Sequence, residues 1–217
     1  MQTSSTRAYL ADPALRSLTL DRMRAHAAAD EIIQGRYWER GKGCLVGCAI
    51  HEEPAEGRHA AFPRIFGIPE ILAGLADCIF EGLTPTEAKT LPVAFFEAIP
   101  LGADLSLAWP RFALALMTDP EHGVARLAAE GTHTRAAIDD VAALFTRQIQ
   151  GDTVSRREWD AAAASAYAAA ASASAASASA ASASAASASA YAASDAAHYA
   201  WQASTILAIL ASCPVTA

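Results

Sequence analysis

The chain has 217 residues, enough for one domain and an appendage, and carries a formal net charge of −7. This acidic balance disfavours non-specific binding to nucleic acids and to anionic membranes. The first residues contain no apolar core of signal-peptide length, and the four cysteines are too few for a dense disulfide framework. We therefore expect a cytoplasmic protein with reduced thiols.

Glycine and proline divide the chain into two parts. All 12 glycines lie at or before Gly151, and no proline lies between Pro120 and Pro214. The first part is therefore interrupted by frequent turns, whereas nothing interrupts a helix in the second. This distribution predicts an all-α fold, with a compact multi-helix domain over 1–151 and an Ala/Ser-rich helical tail over 152–217.

The first predicted helix follows Asp12 and Pro13, a helix-capping residue followed by proline at the first helical position. Gly35 ends the pattern. We expect the inward face of this segment to carry the apolar residues Leu15, Leu18, Ile32 and Ile33.

Two further helices are predicted between Gly67 and Ile99. The segment FGIPEILAGLADCIFEGL has helical spacing of Ile68, Ile71, Leu72, Leu75, Ile79 and Phe80. The next one starts with Thr84 and Glu87, which have the spacing of a capping box. Pro92 should kink or split that helix, because proline removes a hydrogen bond inside a helix.

The rest of the first part predicts three more helical segments, about six in all. Asp104 is placed as the cap of an apolar helix that breaks at Pro110, and Asp119 as the cap of a short helix. The segment THTRAAIDDVAALFTRQI has one apolar face, made by Ala137, Ile138, Val141, Leu144, Phe145 and Ile149.

The tail begins with a second capping box, Ser155 and Glu158, and is then dominated by alanine, the best helix former. An unbroken helix to Ser212 would be about 87 Å long. Whether the tail is continuous or folds back stays open. Its high serine content and the lack of a positive flank argue against a membrane span.

The motif AASAS repeats every five residues, so its serines wind around the helix and form no coiled-coil stripe. Small side chains on every face allow close helix packing, for self-association or for docking on the protein's own domain. A solvated spacer is the alternative. The residues expected to carry the interaction are Tyr167, Ala176, Ala181, Tyr191, Tyr199 and Trp201.

Cysteine and histidine lie close together in GKGCLVGCAIHEE, which has some strand character but is short enough to be a loop or a helical turn. In a helix, Cys44, Cys48 and His51 would share one face and could bind a metal ion such as zinc, although a second Cys pair is absent. Gly43 and Gly47 favour another interpretation, close backbone packing with both cysteines buried. A nucleophilic cysteine with His51 as its base is a third possibility.

Another candidate is the segment EAIPLGADLSLAWPRF. Glu97, Asp104, Trp109 and Arg111 are polar or amphipathic residues in an otherwise apolar stretch, and they could line a pocket. The competing interpretation makes Asp104 a helix cap and Trp109 a core residue.

Several blocks together are specific: GKGC-x3-C, EAIPxGADLSLxW and an Ala-rich tail that ends WQASTILAIL. Over nearly the whole chain they resemble a group of uncharacterised proteins encoded by bacteria and their phages. The tails of that group carry more Tyr, Asp and Arg among the alanines, so this pure Ala/Ser repeat departs from them. The resemblance implies no activity, cofactor or catalytic residue, but it suggests a phage context in which small acidic proteins bind host machinery.

The sequence therefore predicts a non-enzymatic interaction or assembly protein that uses its Ala/Ser helix for close packing or self-association. We expect a homo-oligomer or a host protein as partner, and neither a membrane nor a nucleic acid. The alternative is a metal- or thiol-dependent enzyme centred on Cys44, Cys48 and His51, with zinc as the cofactor.

Overall fold

A computed structural model describes residues 7–51, 54, 56–177 and 186–215, and the side-chain surroundings within them except at 170–177 and 186–194. These residues form ten α-helices and a single short antiparallel hairpin. The all-α class predicted from the sequence is confirmed. The helices are α1 Pro13–Ala28, α2 Leu45–Ile50, α3 Phe62–Phe66, α4 Glu70–Gly82, α5 Pro85–Ala88, α6 Leu91–Ala98, α7 Ala108–Thr118, α8 His133–Ile149, α9 Arg156–Ser177 and α10 Ala186–Ala211.

The hairpin joins β1, Trp38–Glu39, to β2, Lys42–Gly43, directly before α2. Trp38 faces Gly43, and Glu39 faces Lys42. The segment GCLVGCAIHEE thus starts as a strand and continues as a helix. Both conformations had been left open by its sequence.

Three of the five predicted helix caps lie where the sequence predicts them; Asp119 instead accepts from the amides of a turn that precedes the short 3-10 helix Val124–Leu127. The Asp12 side chain accepts a hydrogen bond from the Ala14 amide at the start of α1. Thr84 and Glu87 form the predicted capping box at α5. At α9 the Ser155 amide donates to Glu158 Oε2 over 2.8 Å, and the Glu158 amide donates to Ser155 Oγ over 3.3 Å. Such local pairs satisfy the amides that a helix start leaves without partners.

Two prolines, Pro92 and Pro110, were predicted to interrupt helices, and only the prediction for Pro92 is confirmed. Pro92 lies in the first turn of α6, so the predicted split between α5 and α6 is confirmed. The predicted break at Pro110 is wrong, because Pro110 lies in the first turn of α7, where a missing amide costs nothing. Asp104 does not cap that helix either. Its Oδ1 accepts from the Ser106 amide in the preceding turn.

The inward face of α1 also differs from the predicted one. Leu18 is 57% exposed, whereas Thr19, Leu20, Met23 and His26 are buried. Thr19 can be buried because its hydroxyl donates to the Leu15 carbonyl within the helix. The face is set by α2 and α6, which pack against α1, and not by the helix's own apolar pattern.

The described chain forms two units. The first comprises residues 7–109 together with 195–215. The end of α10 belongs to it: Ala203, Ile206 and Leu210 are buried, and the Asp104 amide donates to the Pro214 carbonyl over 2.9 Å. A further bridge joins Ala103 to Val215. The division therefore differs from the predicted one at residue 151.

The second unit comprises residues 110–177 and 186–194. Its helices α8 and α9 pack along each other. Ala162 and Ala169, two turns apart on α9, are buried, and Phe145 of α8 contacts Trp159 of α9 with ring centroids 4.8 Å apart. The first part of the tail is thus packed within this unit.

The continuity of the tail between α9 and α10 lies outside the described residues, since 178–185 are not among them. Of the helices that are described, none combines the length and the apolarity needed to cross a membrane.

Candidate functional site

Helix α2 positions the candidate site, and close backbone packing fixes α2. A Cβ on Gly43 or Gly47 would overlap the Tyr37 carbonyl oxygen, so both positions require glycine. The same carbonyl accepts a hydrogen bond from the Cys44 amide over 3.1 Å. Cys44 precedes α2 and is 3% exposed, and Cys48 is fully buried. The predicted close packing around two buried cysteines is therefore confirmed.

The three residues expected to share one face have different neighbours. The Cys48 thiol donates to the Gly43 carbonyl over 3.3 Å. His51 ends α2 in the left-handed conformation, with φ 68°, and its ring meets His26. Cys44 instead lies with Asp77 and Glu81. Metal binding by Cys44, Cys48 and His51 together stays a prediction.

Within the described part of the chain, the group of metal-ligating atoms that converge is formed by Cys44, Asp77 and Glu81. One ligand atom from each lies within 4.8 Å of the others. Asp77 and Glu81 are one turn apart on α4, which packs against α2. His59, in the turn before α3, adds a fourth group, since its Nε2 lies 3.0 Å from Asp77 Oδ2. We call these four residues the thiol–carboxylate cluster.

The surroundings of the thiol–carboxylate cluster raise the pKa of two of its members, Cys44 and Glu81. Burial, together with the negative charge of Asp77, raises the pKa of the Cys44 thiol to about 12. Burial and the same charge also raise the pKa of Glu81 above its ordinary value, although the Gly35 amide donates to its Oε2 over 2.8 Å. The cluster therefore gathers negative charge that its own surroundings oppose.

A second group of polar side chains links α1 to the end of α2. Glu31 Oε2 lies 2.6 Å from His26 Nδ1, and His26 Nε2 lies 2.5 Å from His51 Nε2. Trp38 stacks on the His51 ring, with centroids 4.5 Å apart. We call Glu31, His26 and His51 the histidine relay.

The contacts of the histidine relay determine where its protons lie. His51 donates one ring proton to the backbone of Cys48, which leaves its Nε2 as an acceptor. His26 then donates through Nε2 to His51, and its Nδ1 shares a proton with the Glu31 carboxyl group. Burial lowers the pKa of His51, and the nearby Arg22 and His26 charges lower it further. The arrangement thus joins Glu31, His26 and His51 in one chain of hydrogen bonds.

The four pocket candidates have separate local roles. Glu97 Oε1 accepts from Arg24 Nη2 over 2.7 Å on the surface, and Asp104 forms the turn before α7. Trp109 and Arg111 are half-buried in α7. A pocket lined by these residues stays a prediction.

The six interaction candidates also differ in their surroundings. Tyr167 is 79% exposed on α9. Tyr199 is half-buried, and its ring packs against Gly82 of α4. The Trp201 ring stacks on His198. Ala181 lies outside the described residues, as do the side-chain surroundings of Ala176 and Tyr191.

Sequence reasoning missed both clusters in part. It did not single out Asp77, Glu81 and His59, nor His26 and Glu31. One signal was present: Asp77 and Glu81 are four residues apart in an otherwise apolar helical segment, which places two carboxylates on one helix face. No sequence pattern connects that face to Cys44, because the pairing depends on the packing of α2 against α4.

Comparison with known proteins gives no relative: no family model, no curated protein and no solved structure matches the chain.

Proposed function

We propose that the protein is a non-enzymatic interaction and assembly protein, in which the Ala/Ser helix is used for close helix packing and self-association. The observation that carries this proposal is the packing of α9. Ala162 and Ala169 are buried in the second unit, where α9 lies along α8. Alanine at such positions lets two helix backbones approach closely. The tail therefore uses small side chains for contact within the protein.

The cysteines give little support to the thiol-enzyme alternative. A nucleophilic cysteine needs an accessible sulfur and a lowered pKa. Cys48 is fully buried, and burial raises its thiol pKa to about 12. Cys44 is 3% exposed.

The partner we propose is a second copy of the chain. Tyr167 is exposed on α9 between the two buried alanines, and its neighbours in the helix are alanine and serine. A large aromatic ring on a surface of small side chains can pack closely on the same surface of another copy. A host protein is the alternative partner, and the resemblance to phage-encoded proteins is its only support.

Sedimentation of the full-length protein tests self-association. We expect a concentration-dependent oligomer that Tyr167→Arg disperses, because a charge would be placed in the contact. Leu18→Arg is the matched control, since Leu18 is an exposed apolar residue in the first unit. A monomeric wild type refutes self-association, and equal effects of both variants refute the role of Tyr167.

Two leucine substitutions test the close packing of α9. Ala169→Leu adds bulk at a buried position and should cost about 1–3 kcal/mol by overpacking. Ala164→Leu places the same residue at an exposed position of the same helix, where leucine costs almost no helix propensity. Chemical denaturation measures both. If the two variants are equally stable, α9 is a spacer and the proposal fails.

A further inference from the structure

We propose that Cys44, Asp77 and Glu81 bind a zinc ion, with His59 orienting Asp77. The three ligand atoms come from two separate segments of the chain, the residue before α2 and one face of α4. They lie within 4.8 Å of one another. This set shares only Cys44 with the ligands expected from the sequence. The zinc site also goes beyond the proposed assembly function, because zinc binding and self-association do not depend on each other.

One atom in the cluster specifically points to an absent partner. Among the described residues, Asp77 Oδ1 is inaccessible to solvent and accepts no hydrogen bond from a nitrogen or oxygen donor; the Asp77 carboxylate is instead contacted by the Cys44 thiol, a weak donor. A buried carboxylate oxygen without a donor is costly, and native proteins almost always satisfy such atoms. The other oxygen, Oδ2, already contacts His59 Nε2 over 3.0 Å. A cation beside Oδ1 would satisfy it.

Each of the two carboxylates uses one oxygen for a contact within the protein. Asp77 uses Oδ2 for His59, and Glu81 uses Oε2 for the Gly35 amide. One oxygen of each therefore stays available for a metal ion. Protein hydrogen bonds to the second oxygen are the usual means of holding a metal-binding carboxylate in place.

The donor atoms select the kind of metal. A thiolate with two carboxylates is a mixed sulfur and oxygen set, which suits zinc, whereas magnesium and calcium prefer oxygen alone. Zinc–ligand distances of about 2.0–2.3 Å place tetrahedral ligands about 3.5 Å apart. The ligand atoms, which lie within 4.8 Å of one another, must therefore approach by up to about 1.3 Å. Cys44 binds as the thiolate, so its proton passes to the solvent when zinc enters.

The outer residues of the cluster lie at the protein surface. His59 lines a surface depression of about 490 Å³ together with Glu70, Ile71 and Gly74. Its side chain is 38% exposed, and that of Asp77 is 23% exposed. Glu81 is exposed, Asp77 is half-buried and Cys44 is buried, so the cluster extends from the surface to the edge of the core. Three protein ligands also leave the fourth position of a tetrahedral ion for water.

The test is metal titration of the full-length protein after removal of bound metal. Competition with a chromogenic chelator should show one zinc ion per chain. Cobalt should replace it and give thiolate-to-cobalt charge-transfer absorption, which reports the Cys44 sulfur directly. We expect Cys44→Ser to abolish this absorption. Asp77→Asn should weaken zinc binding by at least about 100-fold, and His59→Gln by about 10–100-fold, as is usual for an outer partner.

Two matched controls separate this site from others. Cys78→Ser changes an exposed cysteine next to Asp77, and Cys48→Ser changes the buried cysteine on α2. Both should keep the zinc affinity and the cobalt absorption. Absence of stoichiometric zinc binding overturns the proposal, as does binding that survives Asp77→Asn or is lost in Cys48→Ser. If Cys44→Ser does not fold, Asp77→Asn and Glu81→Gln decide, with circular dichroism confirming their fold.

Discussion

Two glycines inside helices should respond in opposite ways to the same substitution. Gly47 lies in α2 and Gly74 in α4, and alanine is the better helix former at both by about 1 kcal/mol. At Gly74 a Cβ would meet only His59 Nδ1, at 4.0 Å, an ordinary contact. Gly74→Ala should therefore stabilise the protein by about 0.5–1 kcal/mol.

At Gly47 the same methyl group has no room. It would overlap the Tyr37 carbonyl oxygen and lie 2.6 Å from the carbonyl carbon. Carbon atoms normally approach to about 3.5–4.0 Å, so the backbone must move by about 1 Å. Overpacking of this kind costs about 1–3 kcal/mol. Displacement of the Tyr37 carbonyl also disturbs the hydrogen bonds that the Cys44 amide donates to the Arg36 and Tyr37 carbonyls, over 2.7 and 3.1 Å, at a cost of up to about 1 kcal/mol more.

After the gain in helix propensity, Gly47→Ala should lower the free energy of unfolding by about 1–3 kcal/mol. Urea denaturation followed by circular dichroism measures both variants under one set of conditions. The opposite signs are the essential result. If Gly47→Ala is as stable as wild type, or if both variants shift in one direction, the close contact between α2 and Tyr37 is refuted.

Three further substitutions have expected outcomes. The Arg147 side chain and Ser155 hold the pKa of Glu158 at about 2, below its ordinary 4.5. Its contribution to stability is therefore present above about pH 4.5 and is lost as the pH falls towards 2. In Glu158→Gln, the urea midpoint should depend less on pH over that window. The pKa of His51 lies below 6.5, so the unfolded chain takes up the proton first as the pH drops, and stability falls below pH 6.5. His51→Gln should reduce this dependence of the unfolding free energy on pH. His133→Gln, at an exposed position, should leave it unchanged. In Gly82→Ala, the added methyl group would overlap the Tyr199 ring, so hydrogen exchange over 195–215 should increase. Adding Tyr199→Ser to this variant should restore protection. If the effects of the two substitutions simply add, the contact is contradicted.

Local signals predicted the helix starts well, because a capping residue and its partner lie within one turn. Asp12, Thr84 and Ser155 all have the predicted partners. The buried faces were less predictable. Leu18 is exposed while Thr19 is buried, because the helices around α1 determine which side is covered. The break predicted at Pro110 is wrong for a related reason. The helix starts at Ala108 and not directly after Asp104, so Pro110 lies in its first turn.

The candidate site shows the same limit. The burial of Cys44 and Cys48 followed from two nearby glycines, a local pattern. The partners of Cys44 did not, because Asp77 lies on a helix far along the chain and meets it only through tertiary packing. A metal site built from distant residues can be recognised only when the helices that carry them have been placed.

The composition of the first unit also determines when it can form during synthesis. Its core includes Ile206 and Leu210, which leave the ribosome about 100 residues after Trp109. Part of the apolar surface of residues 7–109 therefore stays uncovered while the second unit is translated. At about 5–20 residues per second, this delay lasts about 5–20 s. During that interval the uncovered apolar surface is open to aggregation, and it is covered only when the helix that carries Ile206 and Leu210 has been made.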